Sequence, residues 1–401
     1  MTERTATVGK SHRAKLRLTP VERRASITLA LLFASRMLGL FLLTPVFAVV
    51  ATTIPGGNNA AKVGLALGAY GLTQAVMQIP LGMASDRYGR RPIIVFGMIL
   101  FIAGGVICAM ASDINWVIVG RIIQGLGAVS AAITAWVADA TRPEVRTRAM
   151  AMVGGSIGIS FAASLVLSPL LVGEFGLSGL FWAISLLGFV CLLIAAFVVP
   201  AVPRDKTPIV QVRARDVLHH ADLLRLNFGV FCLHFILMSI FIVAPGLLAR
   251  LGGYDSAHLW EVYLPVILLS FVLMVPAVFY TETRRVHKVA LEVAVAGLVA
   301  VLALMPLASH SFYTVVIMFV GFFIAFNILE ALQPSLVSRV APSTFKGLAM
   351  GIYNTAQSLG VFAGAAIGGL LASQGGESNV FLVAASLAFV WFLTARGFKS
   401  N

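Results

Sequence analysis

Four ionisable side chains lie deep inside long apolar stretches of this sequence: Glu330, His234, Arg36 and Arg121. A carboxyl group in surroundings of low dielectric constant ionises less readily than in water, and an imidazole exchanges its proton near neutral pH. We therefore predict that Glu330 binds and releases a proton, and that His234 or Arg36 tunes its proton affinity. The alternative for His234 is a hydrogen-bonded packing residue.

Arg121 opens the segment Arg121-Ile-Ile-Gln-Gly-Leu-Gly. At 1.5 Å per helical residue it lies about 27 Å from Asp139, at the end of the same apolar run. An arginine at this depth is costly in lipid, so it must face water or a polar partner. We predict that Arg121 also takes part in proton coupling. The alternative is a clasp that only holds helices together.

A dense group of charges, the charged turn at residues 82–91, separates two apolar runs. These charges cannot lie in hydrocarbon, so the turn lies at the membrane surface. Asp139 ends a later run on the same side, and opposite charges there can bridge helix ends. The predicted conformational latch comprises Gly82, Asp86, Arg87, Gly89, Arg90, Arg91 and Asp139. The alternative is a turn whose charges only orient the chain.

Uncharged polar residues near these groups are candidate substrate contacts. Asn327 lies three residues before Glu330, so the two share one helical face. The predicted cavity residues are Gln124, Asn327, Tyr353, Asn354 and Gln357. Hydrogen bonding between helices accounts for them equally well.

Composition identifies the elements that must hold these residues. Charged residues make up 11% of the 401 positions, whereas a soluble domain carries about 25%. A membrane-spanning helix needs about 20 apolar residues. Twelve runs satisfy this, near 25–50, 63–84, 92–112, 115–138, 149–172, 177–200, 225–250, 257–280, 287–308, 312–337, 347–373 and 378–397. We predict an all-α membrane protein with 12 transmembrane helices.

The net charge of +13 follows membrane topology. Lys62 and Arg250 lie on one set of connections between the runs, and Arg36 and Arg121 lie inside runs. All other lysines and arginines lie in the terminal segments or on the alternate connections, which are the cytoplasmic ones by the positive-inside rule. We predict a multi-pass bacterial inner-membrane protein with both termini in the cytoplasm and no nucleic-acid partner.

The sequence repeats itself weakly at an offset of about 200 residues. Pro45 matches Pro245, and Phe41 matches Phe241. This predicts two pseudo-symmetric six-helix bundles. The predicted divisions are a basic tail (1–24), a first bundle (25–200), a cytoplasmic linker (201–224), a second bundle (225–397) and a short cytoplasmic tail (398–401).

The charged turn resembles the signature loop of the major facilitator superfamily, with Ala84 in place of the usual leucine, and Arg121–Gly127 resembles the motif of its proton-coupled members. Longer strings, including Ser35-Arg-Met-Leu-Gly and Ala325-Phe-Asn-Ile-Leu-Glu-Ala-Leu, resemble YajR-type bacterial inner-membrane members. The resemblance implies a central cavity lined by helices 1, 4, 7 and 10. Members of that type carry a ferredoxin-like domain after helix 12, and we expect this chain, printed to Asn401, to lack it.

These observations predict a proton-coupled transporter that exports a small amphipathic drug or metabolite as a monomer in the lipid bilayer. Helix 5 departs from the antiporter pattern, because Gly154-Gly155-Ser156-Ile157-Gly158 is followed by a proline only at Pro169. Proton-coupled uptake of a sugar or other metabolite is therefore one alternative, and a ligand sensor that moves nothing is another. The sequence contains no nucleotide-binding loop, metal-ligand cluster or nucleophile–base pair, so we expect no enzyme activity, cofactor or metal.

Overall fold

The computed structural model describes residues 18–200, 220–342 and 346–399 of the 401-residue chain, and all regular secondary structure in these ranges is helical. The first half contains α1 (Pro20–Phe41), α2 (Phe47–Val50), a 3₁₀ turn (Ala51–Thr53), α3 (Ala60–Tyr88), α4 (Arg90–Ala109), α5 (Ile114–Leu126), α6 (Ser130–Asp139), α7 (Pro143–Leu193) and a π-helical turn (Ile194–Val198). The second half contains α8 (Ala221–Gly252), α9 (Trp260–Arg284), α10 (His287–Ala308), α11 (Phe312–Val340) and α12 (Lys346–Arg396). Most of the predicted basic tail and linker, residues 1–17 and 201–219, lies outside the described residues.

Some helices begin or end away from their predicted limits. α1 begins at Pro20 because Thr19 and Glu22 form a capping box, with a proline at the first helical position. It ends at Phe41 rather than near residue 50, since Pro45 has no N–H to donate to the helix. The predicted run 115–138 is broken between α5 and α6, where Gly127 approaches the backbone of Gly97.

α7 folds back on itself. The Ser160 hydroxyl donates to the carbonyl of Ala34 over 2.9 Å, and the Cys191 thiol contacts the carbonyl of Leu32 at 3.5 Å. Residues 31 positions apart, about 46 Å along a straight helix, thus touch neighbouring residues of α1. The fold-back occurs at Gly176, whose φ of 65° is unfavourable for residues with a side chain.

α12 repeats this hairpin 200 residues later. Gly376 breaks the helix with a φ of 74° and a ψ of −170°, close to the 65° and −169° of Gly176. Gly360 packs on the backbone of Phe231, and Trp391 packs beside Gly229. Residues 360 and 391 therefore bracket one stretch of α8, as residues 160 and 191 bracket one stretch of α1.

Nine segments among the described residues are long and apolar enough to cross a membrane. Two of them, Met152–Val198 and Leu348–Arg396, contain the hairpin glycines, and α3 is not among the nine. The fold is that of an all-α membrane protein. The count of 12 crossings stays a prediction.

A glycine face on α3 brings the two halves together. Gly64, Gly68 and Gly71 lie against the backbone of α12. A Cβ at Gly68 would lie 2.9 Å from the carbonyl oxygen of Phe362. One at Gly71 would lie 2.8 Å from that of Ser358. Only glycine permits this approach, which occurs toward the end of the molecule opposite the charged turn.

Candidate functional site

Two of the predicted proton-coupling residues meet between α8 and α11. Nε2 of His234 lies 3.7 Å from Oε2 of Glu330. His234 is buried, whereas 21% of the Glu330 side chain is exposed. The side-chain Nε2 of Gln357, from α12, lies 2.7 Å from the same imidazole nitrogen. One predicted cavity residue thus joins the pair, and three helices of the second half converge on it.

The hydrogen bonds assign the tautomer of His234. Its Nδ1 lies 3.1 Å from the carbonyl oxygen of Val230, which can only accept, so Nδ1 carries the hydrogen. Nε2 therefore accepts from the Gln357 amide. A proton added to Nε2 has to displace or reverse that amide. Oε2 of Glu330, buried and without a hydrogen-bond partner among the described residues, is then the nearest acidic acceptor.

The other predicted cavity residues of the second half lie around this cluster without touching the histidine. Asn327, one helical turn before Glu330, donates from Nδ2 to Oγ of Ser270 over 3.2 Å. The hydroxyl of Tyr353 is buried and has no hydrogen-bond partner within the described ranges. Asn354 is half-buried on α12. Their contact with a substrate stays a prediction.

Arg36 lies in the first half, and its hydrogen-bond partners among the described residues are all neutral. Its guanidinium donates over 2.7 Å to the hydroxyl of Ser130 and over 2.7 Å to that of Tyr70. A third bond, of 3.2 Å, goes to the side-chain oxygen of Gln74. The side chain is 1% exposed, and its Nε has no partner in the part of the chain that the structure describes. The structure shows no contact between Arg36 and the His234–Glu330 pair.

Arg121 lies on the other side of Tyr70. Its guanidinium carbon is 4.7 Å from the centre of the Tyr70 ring, within cation–π range. It donates to the side-chain oxygen of Gln124 over 2.9 Å and to the carbonyl of Ala66 over 3.4 Å. Tyr70 therefore contacts two arginines: Arg121 lies over its ring, and Arg36 donates a hydrogen bond to its hydroxyl.

Four partners of the Arg36 network were missed from the sequence: Tyr70, Gln74, Ser130 and Ser358. Gln74 is the key one, because its Nε2 donates to Oγ of Ser358 on α12 over 3.1 Å. This bond joins the two halves. The signal was the spacing of Tyr70 and Gln74, which are four residues apart and so share one face of α3.

Aromatic rings fill the space between the halves. On one side of the Phe161 ring, in α7, the centre of the Phe41 ring lies 5.2 Å from its centre. On the other side, the centre of the Phe161 ring lies 6.3 Å from that of Phe241 and 5.9 Å from that of Phe326. Phe326 also contacts the imidazole of His234 at 6.2 Å. An apolar aromatic cluster thus borders the polar groups of both halves.

Arg90 is the centre of the predicted latch. It forms ion pairs with Asp86 and, over 2.8 Å, with Asp139. It also donates to the hydroxyl of Ser85 over 2.7 Å. These bonds join α3, α4 and α6 within the first half. The latch function itself stays a prediction.

The remaining residues of the charged turn contact different groups. Gly89 has a φ of 102° and joins α3 to α4, so a side chain there is strained. A Cβ at Gly82 would make an ordinary contact of 3.7 Å with Ala131. Arg91 donates to the carbonyl of Val199 over 2.7 Å, and Arg87 lies over the ring of its neighbour Tyr88.

A second ionic contact at this end was not predicted. Glu22 of α1 binds Arg142, with an Oε1–Nε distance of 2.8 Å, and is itself nearly buried. The capping-box spacing of Thr19 and Glu22 marks the start of α1 but gives no signal of the contact with Arg142. In the second half, Glu282 pairs with Arg339 over 2.6 Å. Asp139 and Arg339, which are 200 positions apart like the other repeat pairs, thus carry opposite charges.

The glycines of the first segment of α7 do not serve close packing. A Cβ at Gly154, Gly155 or Gly158 would meet nothing within 4 Å. The side of the helix that carries these three glycines therefore faces open space in the described conformation.

Comparisons with known proteins agree with this architecture. The family model described as Major Facilitator Superfamily matches residues 29–360 and 293–399. The chain is similar to the inner membrane transport protein YajR of Escherichia coli strain K12, with 42% identity over 96% of this chain and 85% of that protein. It is 25% identical to the multidrug resistance protein MdtL of Escherichia coli strain K12 / DH10B, over 71% of this chain and 75% of that one. A solved structure of the nucleoside transporter NupG superposes with a TM-score of 0.71 at 12% identity, covering 95% of this chain and 100% of that one.

Proposed function

The chain belongs to the Major Facilitator Superfamily, whose members are transporters rather than enzymes, and from this premise we propose that it exports a small amphipathic molecule in exchange for protons. The observation that carries the proposal is the cluster of Glu330, His234 and Gln357. An acid and an imidazole lie 3.7 Å apart there, at the meeting point of three helices. Such groups are costly in a membrane-spanning region, and they are found there mainly at functional sites.

Protonation of this cluster has a mechanical consequence. A proton on Nε2 of His234 turns that nitrogen from an acceptor into a donor, so the bond from Gln357 breaks or reverses. Gln357 precedes Ser358, which accepts the bond from Gln74 in the other half. Proton binding in the second half thereby alters the surface of α12 that holds the halves together. This is the coupling step of the proposed alternating-access cycle.

The proposed topology, with both termini in the cytoplasm, gives the described conformation a place in that cycle. The glycine face of α3 closes the end opposite the charged turn, which is the periplasmic end under this topology. The described arrangement then corresponds to a state closed toward the periplasm. The Arg90 ion pairs lie at the other end and are formed in the described state. We propose that, by holding α3, α4 and α6 together, they also stabilise the state in which the cytoplasmic side is shut.

Export is favoured by the similarity to a multidrug resistance protein, and by aromatic rings suited to an amphipathic molecule. The late proline of α7, Pro169, favours the alternative of proton-coupled uptake, because its position departs from the antiporter pattern.

Inverted membrane vesicles separate these possibilities. Substrate addition under a proton gradient releases protons from the vesicle lumen if the protein is an antiporter, and moves protons with the substrate if it is a symporter. Saturable binding without flux identifies a sensor. A growth assay on a panel of toxic compounds in an efflux-deficient host identifies the substrate. Co-directional movement, or binding alone, would refute the proposal.

A further inference from the structure

We propose that the transported molecule carries an anionic group of the carboxylate or sulfonate class, and that Arg36 binds it. This inference rests on the proposed transport function and adds the charge of the substrate to it. It is independent of which residue carries the proton.

The first argument is charge balance. Arg36 is 1% exposed and Arg121 is 2% exposed, and neither forms an ion pair with any described residue. A buried guanidinium without an anion costs free energy, because neutral hydrogen-bond acceptors replace only part of its hydration. The one acid described near the centre, Glu330, has His234 as its ionisable neighbour. The interior of the first half, as far as the structure describes it, therefore holds two guanidinium groups without an acidic partner.

The second argument concerns what Arg36 still offers. Both terminal nitrogens donate to neutral oxygens, but Nε is buried without a partner. Nε and the adjacent Nη2 form the edge of a guanidinium that can bind two oxygens of a carboxylate or sulfonate. Because Nη2 already donates to Tyr70 and Gln74, the second of these contacts requires release of the longer bond, the one to Gln74. An unpartnered buried donor is uncommon in native structures, and an acceptor supplied by the substrate accounts for this one.

The third argument selects Arg36 over Arg121. Arg121 bonds within the first half and lies against the Tyr70 ring, so movement of the halves leaves its contacts in place. Arg36 instead bonds to Gln74, whose other bond crosses to Ser358. When the halves separate at this point, Gln74 loses that partner and the surroundings of Arg36 open. An anion reaching Arg36 in that state supplies the missing charge.

The aromatic cluster accounts for the rest of the substrate. Phe41 lies five residues after Arg36, about 8 Å farther along α1, and contacts Phe161. The proposed substrate therefore has an acidic head at Arg36 and an apolar body long enough to reach these rings.

The experiment measures binding to the purified full chain in detergent, with no proton gradient. The three probes share one ring system: 1-naphthalenesulfonate, 1-naphthalenemethanol and (1-naphthylmethyl)trimethylammonium. Isothermal titration calorimetry at constant ionic strength gives Kd for each. We expect the sulfonate to bind at least about tenfold more tightly than the neutral and cationic probes. Tighter binding of the cation or the alcohol, or no binding of any probe, overturns the proposal from measurements on the unmutated protein alone.

The variants then locate the site. Arg36→Gln should weaken sulfonate binding by about tenfold to 100-fold, and Arg36→Lys should weaken it less. Arg24→Gln, which removes an exposed arginine from the same helix, should leave it unchanged. Unaltered sulfonate affinity in Arg36→Gln overturns the proposal. If Arg36→Gln does not fold, the comparison of Arg36→Lys with Arg24→Gln decides, since only a contact at Arg36 depends on guanidinium geometry. Loss of proton coupling in separate flux assays, with sulfonate selectivity intact, would count against the antiport proposal alone.

Discussion

Gln74 and Ser358 join the two halves of the molecule through a hydrogen bond of 3.1 Å from Nε2 to Oγ, and both side chains are buried. Gln74 also accepts from Arg36, so the same amide serves the interface and the charged network. A motion that separates α3 from α12 has to break this bond. It is therefore a marker of the described state.

Removal of this bond should destabilise the described state relative to the alternative one. A hydrogen bond contributes about 0.5–1.5 kcal/mol, so Ser358→Ala should shift the equilibrium by about twofold to tenfold. The shift can be measured as a change in the distance distribution between spin labels on the two halves. Ser373→Ala is the matched control on α12, because the Ser373 hydroxyl donates to the carbonyl of Leu370 in its own helix. Equal distance distributions in the two variants would contradict the prediction.

Glu330→Gln should abolish proton-driven transport while substrate binding persists. The amide keeps the shape of the side chain but carries no titratable proton, so flux should no longer respond to the pH gradient. Reconstituted vesicles with a pH-sensitive dye supply the measurement. Glu292→Gln is the matched control, because Glu292 also lies in a helix but pairs loosely with Lys288 at 3.9 Å. Full proton-coupled flux in Glu330→Gln would remove this residue from the coupling site.

The pH profile of transport should depend on His234 and not on His258. His258 lies in the connection between α8 and α9, where its hydrogen bond to Asp255 raises its pKa and lowers that of the carboxyl group. The raised pKa keeps His258 charged to higher pH than a free histidine, but it lies far from the cluster and is exposed. His258→Gln should therefore leave the pH profile of flux unchanged, whereas His234→Gln should displace it. A displaced profile in His258→Gln would contradict the prediction, because the pH response would then depend on the connection between α8 and α9.

Gly68→Ala should destabilise the described conformation by overpacking. Its Cβ would lie 2.9 Å from a backbone oxygen that cannot move independently of α12. Such overpacking costs about 1–3 kcal/mol, which should appear as a lower Tm of the purified protein. Gly246→Ala should leave Tm unchanged or raise it slightly, because its Cβ meets nothing within 4 Å and alanine favours helix. Comparable Tm values for the two variants would mean that the halves do not pack as described.

Arg90→Gln should reduce transport with little change in stability. Partly exposed ion pairs contribute about 0–1 kcal/mol to the free energy of unfolding. Tm should therefore stay nearly unchanged if the pairs act in the transport cycle rather than in folding. Arg250→Gln, which breaks the exposed pair with Glu377 at the other end, is the control. Flux and thermal unfolding of both variants distinguish the roles. A large fall in Tm with unchanged specific flux would make the Arg90 contacts structural.

The sequence predicted the fold well, because the signals that determine it are local. Long apolar runs, a charged turn and alternating loop charge follow directly from the exclusion of charge from lipid. The meeting of His234 with Glu330 was predicted only as a common depth. Its geometry depends on the relative rotation of α8 and α11, which no local pattern reports.

The network around Arg36 could not be predicted in the same way. Gln74 and Ser358 are 284 positions apart, and their bond depends on glycines that allow the two backbones to approach. The open space beside Gly154 could not be predicted for the same reason. A small residue permits close packing but does not cause it, and only the position of the neighbouring helix decides.

The hairpins at Gly176 and Gly376 offer a practical opportunity. A Cβ at either glycine meets nothing within 4 Å, so the constraint there is torsional and the surrounding space is free. Short peptide tags inserted at these two bends would emerge on one face of the bilayer, at equivalent places in the two bundles. They would give a matched pair of antibody epitopes for establishing sidedness in intact cells.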